Sequence, residues 1–121
     1  MPGEEKVVKK KKPSLQAVKD SMKIVNTLYT EDRKPGVAKT CFKTFYIFLK
    51  NVVKDPKNEK FRVVNLHNEK VAARIGKLSG GIGMLKGVGF SENEDKNLQL
   101  QDEDLDLDLL KEVMEFVEMK F

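Results

Sequence analysis

The segment Val37–Lys54 constrains this chain more than any other part of it. Cys41, Phe45, Phe48, Leu49 and Val52 recur at three- and four-residue spacing, and Phe42, Tyr46 and Val53 widen the stripe past half of a helix circumference. A helix that apolar has to lie at the centre of a fold, with other elements packed on several sides. Each aromatic it buries contributes roughly 1.5–3 kcal/mol. Asp55-Pro56 ends it, because proline lacks the amide donor and disfavours helical geometry at the preceding residue.

The remaining elements have to cover that helix. Ahead of it, Pro13-Ser14 starts another, with Ser14 as N-cap and Leu15, Val18, Met22, Val25 and Leu28 as its apolar stripe. Thr30–Gly36 is a loop. After the proline, Lys57–Lys60 is a polar turn and Phe61–Leu66 reads as a short strand, with β-branched Val63 and Val64. His67-Asn68 turns the chain, and Val71–Ile75 is a short helical piece. Gly80 opens a helix carrying Ile82, Met84, Leu85 and Val88; Gly89 closes it, and Phe90 falls back on the core as the apolar residue after a glycine cap. A polar turn, Ser91–Asn97, leads to a second strand at Leu98–Leu100. The Asp-Leu alternation over 104–109 has a strand's period but no β-branched residue, so loop followed by helix is preferred, with Leu109, Leu110, Val113, Phe116 and Val117 as the last apolar face. The expected fold is one α+β domain over residues 14–121, mainly helical, with a small antiparallel sheet pairing Phe61–Leu66 with Leu98–Leu100. Residues 1–13 are expected to form a disordered basic tail.

Several chemistries lack their residues. A chain of 121 residues supports one core, and no apolar run approaches the eighteen or so of a membrane span. Val7-Val8 sits among lysines, so no secretory apolar region is expected. Cys41 is the single cysteine and His67 the single histidine, which leaves neither a disulfide nor a zinc or Cys/His catalytic set. Cys41 belongs to an apolar face with no base beside it, and His67 at a strand-to-turn position reads as structural or exposed. Gly80-Gly81-Ile82-Gly83 is not followed by the Gly-Lys-Ser/Thr of a phosphate loop, and the third glycine of a dinucleotide fingerprint is misplaced at Gly87. No cofactor, metal or catalysis is expected.

Charge is unevenly spread. Residues 34–90 hold twelve Lys or Arg against three acids, and residues 91–121 hold three lysines against eleven acids. A basic face that meets an acidic partner and simple internal balance both fit this division. Lys9–Lys12 fits a nuclear signal or a nucleic-acid patch, and more commonly a solvated tail. A nucleic-acid-binding domain is the alternative from another class. It requires aromatics interleaved with cations on an exposed surface, whereas Phe42, Phe45 and Tyr46 have the helical spacing of a core.

From Asn51 to Phe90 one ordered set stands out: Asn51, Pro56, Glu59-Lys60-Phe61-Arg62, Asn68, Arg74, Gly80 and Gly89-Phe90. In that order, and without a gap, the stretch resembles the PUB (or PUG) domain found in peptide:N-glycanase, in a linear-ubiquitin ligase and in some UBX-family adaptors. The flanking helices extend the likeness to most of the chain. The resemblance implies a monomeric interaction module and not an enzyme. It would bind the acidic C-terminal tail of the hexameric AAA ATPase valosin-containing protein, within the ubiquitin–proteasome pathway and ER-associated degradation. Independently of the resemblance, the single cysteine favours a cytoplasmic location, with nuclear entry open. A PUB fold with a changed ligand is the other alternative.

The resemblance also assigns residues. The ligand tail ends in acids, then Leu-Tyr and one small residue, whose apolar side chains enter a shallow groove. Asn51 takes the position whose amide hydrogen-bonds the tail. Phe61 lines the groove and Gly89-Phe90 form its wall, with Gly89 small so as to leave room for the peptide. Lys60 meets the tail's negative charge, and Lys50, Lys54, Lys57 and Arg62 add positive potential. Phe61 stands where the family often has tyrosine, Asn65 where the glycanase has arginine, and Lys77-Leu78-Ser79 where it has Pro-Val-Arg. The structural alternative makes Phe61 and Phe90 core residues and Asn51 a helix-terminal cap.

Overall fold

A computed structural model of the chain describes residues 13–120. The basic tail expected over residues 1–13 lies outside the described residues except for Pro13. Helix α1 spans Leu15–Leu28 and is capped as its sequence indicates: the Ser14 Oγ accepts the Ala17 N–H at 3.1 Å. Val18, Met22 and Val25 are buried, but the stripe does not run to its end, and Leu28 is 47% exposed. Helix α2 spans Val37–Lys54, and Ala38, Cys41, Phe42, Phe45, Leu49 and Val52 are buried along it. It stops at Asp55, whose N–H donates to the Asn51 carbonyl at 3.1 Å. The central position of α2 follows: helix α5 (Leu107–Glu118) packs on it, and a 3-10 turn (Glu59–Arg62) and a π turn (Ala72–Gly76) also lie against it. The Tyr46 hydroxyl donates to Glu118 Oε1 at 2.9 Å, tying α2 to α5, and that carboxylate raises the tyrosine's pKa.

Between the helices, the strand expected at Phe61–Leu66 is shorter than its pattern. Phe61 and Arg62 belong to the 3-10 turn, and strand β1 is Val63–Val64 alone. The reason is local. The Asn58 Oδ1 accepts the Lys60 N–H at 3.0 Å and the Asn58 carbonyl accepts the Phe61 N–H at 3.1 Å, so the chain makes one more turn before it extends. The expected pairing holds. Strand β2 is Ser91–Glu92 and strand β3 is Leu98–Gln99, and the antiparallel order is β1-β3-β2. Gln99 faces both Val63 and Ser91, and Leu98 faces both Val64 and Glu92. A further bond, from the Leu100 N–H to the Arg62 carbonyl at 2.8 Å, carries the ladder one step past the strands.

The short helices depend on small side chains. Helix α3 is Glu69–Val71, capped by Asn68, and it runs into the π turn, which buries Ile75. Helix α4, Gly81–Gly87, packs against α1. A Cβ at Gly81 would stand 2.0 Å from the Ile75 carbonyl oxygen, so only glycine fits where α4 leaves the π turn. At the other end, the Phe90 N–H donates to the Leu85 carbonyl and the Gly89 N–H to the Lys86 carbonyl. These two bonds make a Schellman ending with Gly89 at φ +119°, and they carry Phe90 into the core at 2% exposure. The Asp-Leu segment forms a 3-10 turn (Asp102–Asp104) and then α5, with Asp106 as N-cap, so loop followed by helix is what it adopts.

Candidate interaction surface

Both edge strands begin at the same end of the sheet. The 3-10 turn ends in Arg62 and delivers β1, while the Gly89-Phe90 ending of α4 delivers β2. Because both pair with β3, Val63 and Ser91 lie on either side of Gln99, about 10 Å apart at ordinary strand spacing. Leu100, the next residue of the middle chain, sits between Arg62 and Phe90. Phe61-Arg62 and Gly89-Phe90, distant in sequence, are brought together around it.

The side chains at this end divide into supporting and available groups. Phe90 is buried and Phe61 is half-buried. Arg62 is 8% exposed, and its guanidinium is ion-paired with Asp102, whose side chain is exposed. Its Nε is buried without a hydrogen-bond partner. Arg62 thus holds the Asp102–Asp104 turn against the sheet end, and its charge is already engaged. Gly89 is small for an internal reason. A Cβ there would stand 2.9 Å from Leu100 Cδ1 and 3.0 Å from the Asp104 carbonyl oxygen.

Beside the 3-10 turn lies the C-terminal end of α2. Asn51 is half-buried, and its side-chain amide has no hydrogen-bond partner among the described residues, so it is not a cap. Its backbone carbonyl takes the Asp55 N–H instead. Lys50, Lys54, Lys57 and Lys60 are exposed, with no ion pair among the described residues. This gives four free ammonium groups, one free carboxamide and a half-buried phenyl ring. Such a set can attract carboxylates, hydrogen-bond a peptide and cover an apolar side chain.

Gly89 and Phe90 also line a groove of about 780 Å³ between α1 and α4, with Pro13, Ala17, Ile24 and Glu92 among its other walls. Asn51, Lys54, Lys60, Phe61 and Arg62 do not line it. The helix α1 wall was missed in the sequence, yet it left a signal there: Ile24 is an apolar residue out of register with the α1 stripe, and it is 46% exposed. The roles of Leu100, Asp102 and Asp104 left none. Elsewhere, burial pushes the Cys41 thiol up to about 12, and no group of three or more His, Cys, Asp or Glu among the described residues is placed to hold a metal ion.

A family model described as PUB domain matches residues 36–113, more than half of the chain. The chain is similar to plant UBX domain-containing protein 2 of Arabidopsis thaliana, 44% identical over 48 residues, which is 40% of this chain and 10% of that protein. The chain therefore spans about a tenth of that relative's length.

Proposed function

The chain belongs to the PUB domain family, and from that premise we propose that it is a protein-interaction module for the acidic C-terminal tail of valosin-containing protein. The observation that carries this reading is the gathering of Phe61 and Gly89-Phe90 at one end of the sheet, beside a free Asn51 carboxamide and four unpaired lysines. The tail's acids meet Lys50, Lys54, Lys57 and Lys60. Asn51 hydrogen-bonds its backbone, and its Leu-Tyr end packs on Phe61 near Leu100. Arg62 supports the surface through Asp102 and does not contact the ligand. Phe61 lacks a hydroxyl, so recognition leans on apolar contact and charge. The domain acts by binding alone, with no reaction of its own.

The test is an NMR titration of the full chain with an acidic peptide ending in Leu-Tyr and a small residue, beside the same peptide phosphorylated on tyrosine. Micromolar binding, about −8 kcal/mol, is expected for the plain peptide, with shifts at Asn51, Lys60 and Phe61. Phosphorylation adds about −1.5 to −2 charge to a side chain that must leave water, and binding is expected to be lost. Equal binding of both peptides would leave the basic face as the whole attraction and end the apolar-contact reading. Binding of oligonucleotide in place of either peptide, falling steeply with salt, would favour the nucleic-acid alternative.

A further inference from the structure

The groove between α1 and α4 is bounded on a third side by strand β2. Ser91 and Glu92 line it and no residue of β1 or β3 does, so it lies along the free edge of the sheet. The Asn93 N–H donates to the Asn97 carbonyl at 2.8 Å, which makes those two a hydrogen-bonded pair of the antiparallel ladder. Such pairs alternate with unbonded ones, so Glu92, opposite Leu98, turns its own N–H and carbonyl away from β3. The edge therefore offers one backbone donor and one acceptor beside the groove. Ile24 and Phe90 make the groove apolar. Ile24 is 46% exposed, and Leu28, one helical turn further along α1, is 47% exposed and continues the apolar line.

Charge decides what fits there. The charged wall residues are Asp20, Glu92 and Asp104 against Lys86. An adjoining cavity of about 630 Å³ shares Asp104 and adds Glu103 and Asp108. Glu92, Glu103, Asp104 and Asp108 have no ion pair among the described residues, and Asp20 accepts only from the Gln16 side-chain amide. A rim of this sign repels the acidic peptide that suits the lysine face and attracts a basic one. We propose that the groove is a second docking site, for a short extended segment of a partner protein in which apolar residues alternate with lysine or arginine. The segment's backbone pairs with Glu92 as an added strand. Alternation puts its apolar side chains together on Ile24 and Phe90, while its cations meet the carboxylates of Asp20, Glu92 and Asp104. The two faces then take ligands of opposite charge, and one domain joins two partners. None of Asn51, Lys54, Lys60 or Phe61 lines the groove, so this site stands whatever ligand the lysine face takes.

The experiment is an amide and methyl NMR titration of the full chain with three capped peptides: Arg-Val-Lys-Val-Arg, Arg-Ser-Lys-Ser-Arg and Glu-Val-Asp-Val-Glu. The first is expected to shift the Ile24 methyls and the Ser91 and Glu92 amides, to leave Lys60 and Phe61 still, and to slow hydrogen exchange at the Glu92 amide. The serine peptide is expected to bind about tenfold more weakly, because it leaves Ile24 and Phe90 uncovered. The acidic peptide is expected to leave the groove resonances unmoved. Ile24→Ser and Glu92→Lys, both at exposed positions, are each expected to weaken the first peptide about tenfold without moving the melting midpoint. Groove resonances unmoved by Arg-Val-Lys-Val-Arg at about 5 mM would overturn the proposal. Equal binding of the serine peptide, or an unprotected Glu92 amide in the complex, would do the same. So would Ile24 shifts on diluting the chain alone, which would place a second copy in the groove.

Discussion

Three residues show how a side chain's role depends on what already satisfies it. The Asn51 carboxamide is free among the described residues, so removing it takes nothing from the fold. Asn51→Ala is expected to weaken tail binding by about 0.5–1.5 kcal/mol with an unchanged melting midpoint, read by peptide titration beside a thermal melt. Gly89 is the reverse case. At φ +119°, with Leu100 and Asp104 within contact of any added methyl, Gly89→Ala is expected to destabilise the domain by about 1–3 kcal/mol, measured by urea unfolding. A binding loss in that variant therefore needs correction for unfolding. Cys41 carries a pH prediction. Its thiol, raised by burial from 9.0 to about 12, stays protonated in the folded chain while the unfolded chain ionises first. The unfolded state then holds fewer protons, so stability falls as pH rises through the 9 to 12 window. Urea unfolding at two pH values in that window is expected to show this fall, and a smaller one in Cys41→Ala.

At the scale of elements, the Asp102–Asp104 turn depends on a partner forty residues earlier. Arg62 is buried, and Asp102 is its ion-pair partner. Asp102→Ala leaves a guanidinium buried with less to bind it, at a cost of about 1–3 kcal/mol, and frees the turn whose Asp104 backbone abuts Gly89. The expected outcome is a lower urea midpoint with shifts at Gly89 and Leu100 in the amide spectrum. An unchanged midpoint would show that water serves Arg62 equally well. The sheet itself is small, two residues per strand, and its register is fixed from outside. The Leu66 N–H donates to the Asn97 Oδ1, and Asn93 closes the hairpin through its own Oδ1.

For the molecule as a whole, helix α1 lies outside the matched family region of residues 36–113, yet it is part of the same core. Val18, Met22 and Val25 are buried, and α1 is the chief partner of α4. A chain cut to residues 36–113 is expected to lose cooperative unfolding, because α4 then exposes its α1-facing surface and α5 is shortened. Circular dichroism melts of the cut and full chains check this. A sharp transition in the cut chain would show that α1 is an accessory.

What local chemistry decides was legible in the sequence. The Ser14 cap, the Asp55-Pro56 stop and the Gly89-Phe90 ending are contacts among residues a few positions apart, and helical periodicity gave α2 its full extent. Pairing of the two strands was also legible, since few extended segments were available. The start of β1 was missed, because Asn58 satisfies the backbone in a turn as well as a strand would. Only the tertiary structure decided that Arg62 pairs with Asp102 and that Gly89 is small on account of Leu100 and Asp104. Those contacts join residues ten to forty positions apart, where periodicity carries no information and only the packing of the whole chain sets the distance.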